Sequence, residues 1–412
     1  MVLESELTYS QHKLSNGIRL VHRLTYSQVA HCAVTINVGS RDEEKDEEGI
    51  AHFIEHCLFK GTNKRKSFQI LNRIDGVGGE LNAFTTKEET CIYATFLNNY
   101  HDRVLELFSD ILFSSTFPKK ELEKEKIAVI DEINSYEDNP SELILDEFDN
   151  LVFGKNGLGH YTLGTPKQVK GFTTEKLNQF IEKTYSTDSI VISTIGDIDF
   201  DKWVKLCEKY FGGIKTNAKP IHRNSPKNYK PKEKVKKRNT YQSHVVIGNP
   251  AFSYKNKNKI TLSLLNNIIG GPAMNSRLNM KIREKYGFTY SIESNYTAFS
   301  DTGLFVVYAA SDSKYIDKTI GLIKNELDFF SNKEMTPSSL KVAKQQLIGQ
   351  LAIQYESNQN EVISMGKSIL NFDRIDSLKT TNQEIEKITS KQILEVAQLI
   401  FQKDNYSQLK YI

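Results

Sequence analysis

The chain has 412 residues, of which 39% are hydrophobic and 25% charged, with a formal net charge of +3 at pH 7. That length exceeds the roughly 100–200 residues of one ordinary domain and supports two or more. The composition excludes a disordered chain, and so small a net charge gives no global attraction to nucleic acid or to an anionic membrane.

The first ten residues hold no basic region followed by an apolar core, and no run of about 18 apolar residues occurs, so the expectation is a cytoplasmic protein without a membrane partner. Residues 8–39 alternate apolar and polar character around an Asn16-Gly17 turn, which predicts strands, the strongest over Ala33–Gly39. The acidic run Arg41–Glu48 reads as a solvated loop whose carboxylates favour the positive end of the next helix. That helix lies in Gly49-Ile-Ala-His-Phe-Ile-Glu-His-Cys-Leu-Phe-Lys-Gly61, stopped by Gly61. At 3.6 residues per turn, His52, Glu55 and His56 form one polar stripe on an otherwise apolar surface. Burying such a stripe costs several kcal/mol, roughly, unless hydrogen bonds or a metal compensate. Two imidazoles one turn apart beside a carboxylate suit a divalent metal and a base, in the order His-x-x-Glu-His. Taken alone, the pentad also fits a chance match on a core helix. Cys57 points about 100° away from the stripe, and with Cys32, Cys91 and Cys207 it reads as a small buried hydrophobe, since no Cys-x-x-Cys pair occurs.

A helix near Phe68–Asp75 runs into Gly76-Val-Gly-Gly79, followed by strands over Glu80–Thr85 and Glu89–Leu97. These glycines are not a phosphate loop, because no Gly-Lys-Ser/Thr follows and the order is helix to strand. Pro118 opens a long helix that stops before Pro140, with Leu122, Val129 and Ile133 on its apolar stripe. Glu125 and Glu132 project within about 20° of each other at the edge of that stripe, although local sequence favours a pair facing solvent. A helix over Thr174–Tyr185 precedes a buried strand over Ser189–Ile195. From Gly212 to Arg238 lysines and prolines replace apolar residues, which reads as a linker; with no interleaved aromatics or glycines, a nucleic-acid arm is disfavoured. Beyond it the second half replays the first, with strands over Phe288–Asn295 and Gly303–Ala309 and long helices after them. The expected fold is α+β: two homologous α/β-sandwich domains from a divergent duplication, each a largely antiparallel sheet packed by helices. Their expected boundaries are 1–214 and 239–412, joined by a basic linker over 215–238.

Gly49–Thr62 resembles the signature of the inverted-zincin peptidases of the pitrilysin/insulinase (M16) family, departing from it at Cys57, where a methionine is common. Gly78–Thr90 is similar to that family's substrate-edge strand, and the likeness extends over nearly the whole chain, in the short two-domain form of the mitochondrial processing peptidases. The resemblance implies one Zn²⁺ per chain held by His52, His56 and Glu132, with Glu55 as general base and Glu125 orienting a ligating histidine. It implies that Arg283 and Tyr290 bind substrate carbonyls and stabilise the oxyanion; out of context they would read as a surface and a core residue. An extended peptide would add to the strand at Leu81–Thr85, contacting Asn82, Ala83 and Phe84. The implied function is a zinc endopeptidase for short or unfolded peptides, working inside a closed chamber; the alternative is a non-catalytic partner subunit of a heterodimeric peptidase. Relatives that fuse two such domain pairs bring the zinc site of one pair to the Arg/Tyr set of the other, so this chain is expected to form a homodimer with its sites completed in trans.

Overall fold

The structure is a computed structural model that describes residues 8–218 and 221–412; the N-terminal stretch before Thr8, and Lys219 and Pro220 of the expected linker, lie outside them. Eleven strands form two sheets among the described residues. The first contains β1 (Tyr9–Lys13), β2 (Arg19–Leu24), β3 (Val29–Ile36), β4 (Glu80–Thr85), β5 (Thr90–Leu97) and β6 (Ile190–Gly196), in the order β1-β2-β6-β3-β5-β4. The second contains β7 (Glu233–Lys236), β8 (Ser243–Ala251), β9 (Thr289–Ala298), β10 (Gly303–Ser311) and β11 (Ser407–Tyr411), in the order β7-β11-β8-β10-β9. β2 runs parallel to β6, and β7 to β11; every other pairing is antiparallel. Apart from the added β1, the second sheet therefore repeats the first strand for strand, as the duplicated α+β reading requires.

The chain divides into two compact units that are not contiguous in sequence. The first holds residues 1–134, 160–223 and 354–377, and the second holds 135–159, 224–353 and 378–412. This differs from the expected division into 1–214 and 239–412, and the reason is burial of both sheet faces. In β3 and β6, Cys32, Val34, Ile190 and Ile192 join the main core of the first unit. The opposite-facing Ala33, Val191 and Ile195 pack against Val362, Met365 and Ile369 of the helix Asn358–Phe372. A strand buried on both faces reads as a continuous apolar run, as β6 does. Gly366 allows the close approach, since a Cβ there would meet Thr35 Oγ1 at 2.4 Å. In the second unit the helix Pro140–Phe153 plays the same part, with Ile144 and Phe148 against Val246, Leu304 and Val306.

The segment expected to be a linker is partly built into the units. Arg223 bonds both carboxylate oxygens of Asp42, at 2.8 Å each, and Glu233–Lys236 is strand β7. The acidic run is also not simply a solvated loop. Glu43 is buried, and its two oxygens accept the N–H groups of Gly49 and Ala51 at 2.9 Å, while Arg41 pairs with Glu88. Among the described residues, no helix is long and apolar enough to cross a membrane.

Candidate metal centre

The pentad lies on the helix Ile50–Cys57, whose Phe53, Ile54 and Cys57 are fully buried in the first unit's core. Glu43 caps its first turn, supplying an acceptor to amides that have no partner within the helix. Gly49 precedes it with φ +90°, a backbone state open to glycine, and packs against Gly164 so closely that a Cβ would lie 2.7 Å from the Gly164 Cα. These contacts set where the helix begins and therefore where its polar stripe points. Glu125 and Glu132 come from the helix Lys119–Glu137, whose Leu122, Val129 and Ile133 anchor it in the same core.

The two helices bring His52, His56 and Glu132 together, with one ligand atom of each lying within 4.8 Å of the others. His52 Nε2 is 3.7 Å from Glu132 Oε1, and His56 Nε2 is 3.4 Å from Glu132 Oε2. Tetrahedral zinc with bonds of about 2.1 Å spaces its ligand atoms about 3.4 Å apart, so the donor set fits this ion in both chemistry and separation. Burial, together with the neighbouring His56, pushes the His52 imidazole down to about 3, which keeps it neutral as a ligand must be. Burial also opposes charge on His56, but the Glu125 hydrogen bond and the Glu55, Glu132 and Glu125 charges outweigh it and raise that ring above its ordinary value. Glu125 accepts from His56 Nδ1 at 2.9 Å and from Lys60 Nζ at 2.7 Å. Burial would raise its carboxyl, yet these two partners hold it below the usual range.

Glu55 is buried beside the donor set, and burial raises its pKa against the opposing hydrogen bond from Thr85. Thr85 Oγ1 donates to Glu55 Oε2 at 2.8 Å. Thr85 ends β4, the outer strand of its sheet, which pairs with β5 alone and carries Asn82, Ala83 and Phe84. Asn82 is exposed, while Ala83 and Phe84 are half-buried. Arg283 and Tyr290 belong to the second unit, where the guanidinium lies over the Tyr290 ring, 5.1 Å from its centroid. Arg283 is carried by a π-helical turn, Asn279–Glu284, and Tyr290 stands exposed on β9, the outer strand of the second sheet.

Three residues of the centre escaped the sequence reading. Lys60 falls four residues after His56, a helical spacing that signals a shared face. Glu43 offered only its place six residues ahead of Gly49, and Thr85 offered no local signal, because its contact with Glu55 spans 30 residues. In the second unit the helix after β8, Lys259–Gly270, contains neither histidine nor glutamate, so the repeat carries no second copy of the stripe.

The Insulinase (Peptidase family M16) profile matches residues 20–166, which include His52, Glu55, His56, Glu125 and Glu132. The Peptidase M16 inactive domain profile matches residues 171–347. The chain is 31% identical to the uncharacterized zinc protease YmxG of Bacillus subtilis over 96% of each chain. It is 32% identical to an uncharacterized zinc protease of Rickettsia felis over 94% of each chain. Among solved structures, a protease from Helicobacter pylori has a TM-score of 0.90 at 21% identity, covering 98% of this chain and 100% of that one. A peptidase M16 inactive domain from Pseudomonas fluorescens has a TM-score of 0.91 at 18% identity, covering 98% of each chain. The topology and these matches agree: the chain belongs to the M16, or insulinase, peptidase family.

Proposed function

We propose that this protein is a zinc-dependent endopeptidase acting on short or unfolded peptides. The observation that carries the reading is the convergence of His52, His56 and Glu132 beside the buried carboxylate of Glu55. These three residues would hold the zinc, which when bound supplies Lewis acidity to polarise an oxygen ligand. Glu55 is the proton carrier. With Oε2 held by Thr85, Oε1 is left to take a proton from the attacking water and return it to the leaving amine. Burial, which makes the neutral acid easier to form, suits a group that must hold a proton between two steps. The outer strand β4 offers its free edge to an extended peptide, so that main-chain hydrogen bonds supply affinity with little demand on sequence. The test is metal analysis beside a peptide digest. Wild type and Glu55→Gln should both retain zinc, and only wild type should cleave; equal cleavage by both would remove Glu55 as the base.

Arg283 and Tyr290 complete the proposed machinery from the second unit, with Tyr290 supporting the oxyanion and Arg283 the substrate carbonyls. Because one chain carries both sets, a homodimer in which each partner completes the other's site, enclosing a chamber, needs no second gene product. Mixing inactive His52→Ala with inactive Arg283→Ala chains should restore one working site per mixed dimer. Mixed dimers that stay inactive would rule out completion in trans.

A further inference from the structure

We infer that Lys60 is a positioning residue of the metal centre: its ammonium holds the Glu125 carboxylate in the orientation that in turn holds the His56 ring. This rests on the zinc reading proposed above and extends it to a residue that is neither ligand nor base. Lys60 Nζ lies 2.7 Å from Glu125 Oε2, while Glu125 Oε1 lies 2.9 Å from His56 Nδ1. The two oxygens are thus used separately, one for each neighbour. The last torsion of a glutamate is broad and roughly two-fold, so a carboxylate bonded through one oxygen can swing about that bond. A second, charge-assisted bond at the other oxygen fixes its plane.

Lys60 is itself well placed to serve as a fixed point. Its backbone N–H donates to the Cys57 carbonyl at 3.1 Å, tying it to the end of the pentad helix, and the next residue, Gly61, bridges to Lys66. Its side chain is only 28% exposed and that of Glu125 only 10%, so the pair is shielded from the solvent screening that weakens surface ion pairs. His52 is held differently: its Nδ1 is buried with no hydrogen-bond partner among the described residues. The Lys60–Glu125 pair therefore governs one of the two imidazoles, the one whose Nε2 lies 3.4 Å from Glu132 Oε2.

The experiment is a zinc dissociation constant, measured on the full chain by competition with a colorimetric chelator. Hydrogen-bond partners of metal-bound histidines are worth about 10–100-fold in metal affinity, and Lys60 acts one contact further out, so Lys60→Met should weaken zinc binding about tenfold. Lys60→Arg, which keeps a cationic donor, should restore it. Added to Glu125→Gln, Lys60→Met should cause no further loss, because its effect runs through the Glu125 carboxylate. Wild-type affinity in Lys60→Met, or an undiminished loss in the Glu125→Gln background, would overturn the inference. Thermal midpoints of the metal-free proteins accompany the series. If Lys60→Met is unfolded, the same comparison is made with Lys60→Gln, whose unchanged affinity would equally overturn it. A wild-type chain that takes up no zinc would instead overturn the zinc reading itself, so the two failures are distinguished.

Discussion

At the scale of single residues, the proposed base, Glu55, is governed by what holds it. Glu55 Oε2 is occupied by the Thr85 hydroxyl, so the carboxylate cannot rotate freely between its two oxygens. Hydrogen bonds to charged groups are worth about 1.5–3 kcal/mol, and each 1.36 kcal/mol corresponds to about tenfold in rate. Under the proposed activity, Thr85→Val should lower kcat about tenfold or more while zinc content and KM stay near wild type, and Thr85→Ser should recover the loss. Steady-state peptide kinetics beside metal analysis check this, and a Val variant with unchanged kcat would leave Thr85 a purely structural residue.

At the scale of elements, the pentad helix is only eight residues long, too short to be stable by its own propensity, and it depends on its cap and its core contacts. Glu43 is the cap, accepting two backbone N–H groups with its two oxygens. Glu43→Gln replaces one of those acceptors with an amide donor facing an N–H. The expected cost is about 1–3 kcal/mol, read as a lowered urea midpoint with an unchanged slope. Because the cap sets the start of the helix, zinc affinity should fall with stability; a variant as stable as wild type would show that core packing alone positions the helix.

At the scale of the whole molecule, each unit closes its sheet with a helix from the other half of the sequence. A fragment of residues 1–214 would lack the helix Asn358–Phe372 and would expose Ala33, Val191 and Ile195, buried in the full chain. It would also remove Glu361, the buried ion-pair partner of Arg23. The fragment should therefore aggregate or unfold when expressed alone, and a soluble, cooperatively folded fragment would show that the second face tolerates water. Acid acts on the same unit through His101. Burial, aided by the charges of His22 and Lys202, pushes this ring down to about 4. Below about pH 6.5 the unfolded chain takes up a proton there that the folded chain refuses, so stability falls as pH falls toward 4. Between pH 7 and pH 5 the loss from this one group should be roughly 2 kcal/mol. Urea melts across that range check it, and His101→Gln should make the dependence shallower by about that amount.

Most elements, and the polar stripe of His52, Glu55 and His56, were legible in the sequence because the information there is periodic and local. A 3.6-residue spacing puts His52, Glu55 and His56 on one face, and repeated strand and helix order reveals a duplicated α+β chain. Glu132 and Glu125 lie far from the pentad and were recognisable through the family resemblance, since local pattern favoured a solvent-facing pair. The remaining contacts are set by the three-dimensional packing. The contacts of Lys60 and Thr85, and the two bonds of Glu43, join side chains through space, and nothing in a window of neighbouring residues records such an approach. That each unit takes a helix from the other half of the sequence was hidden for a related reason. An amphipathic helix announces that it must bury a face, while which sheet receives that face depends on the shape of both partners, as where Gly366 meets Thr35.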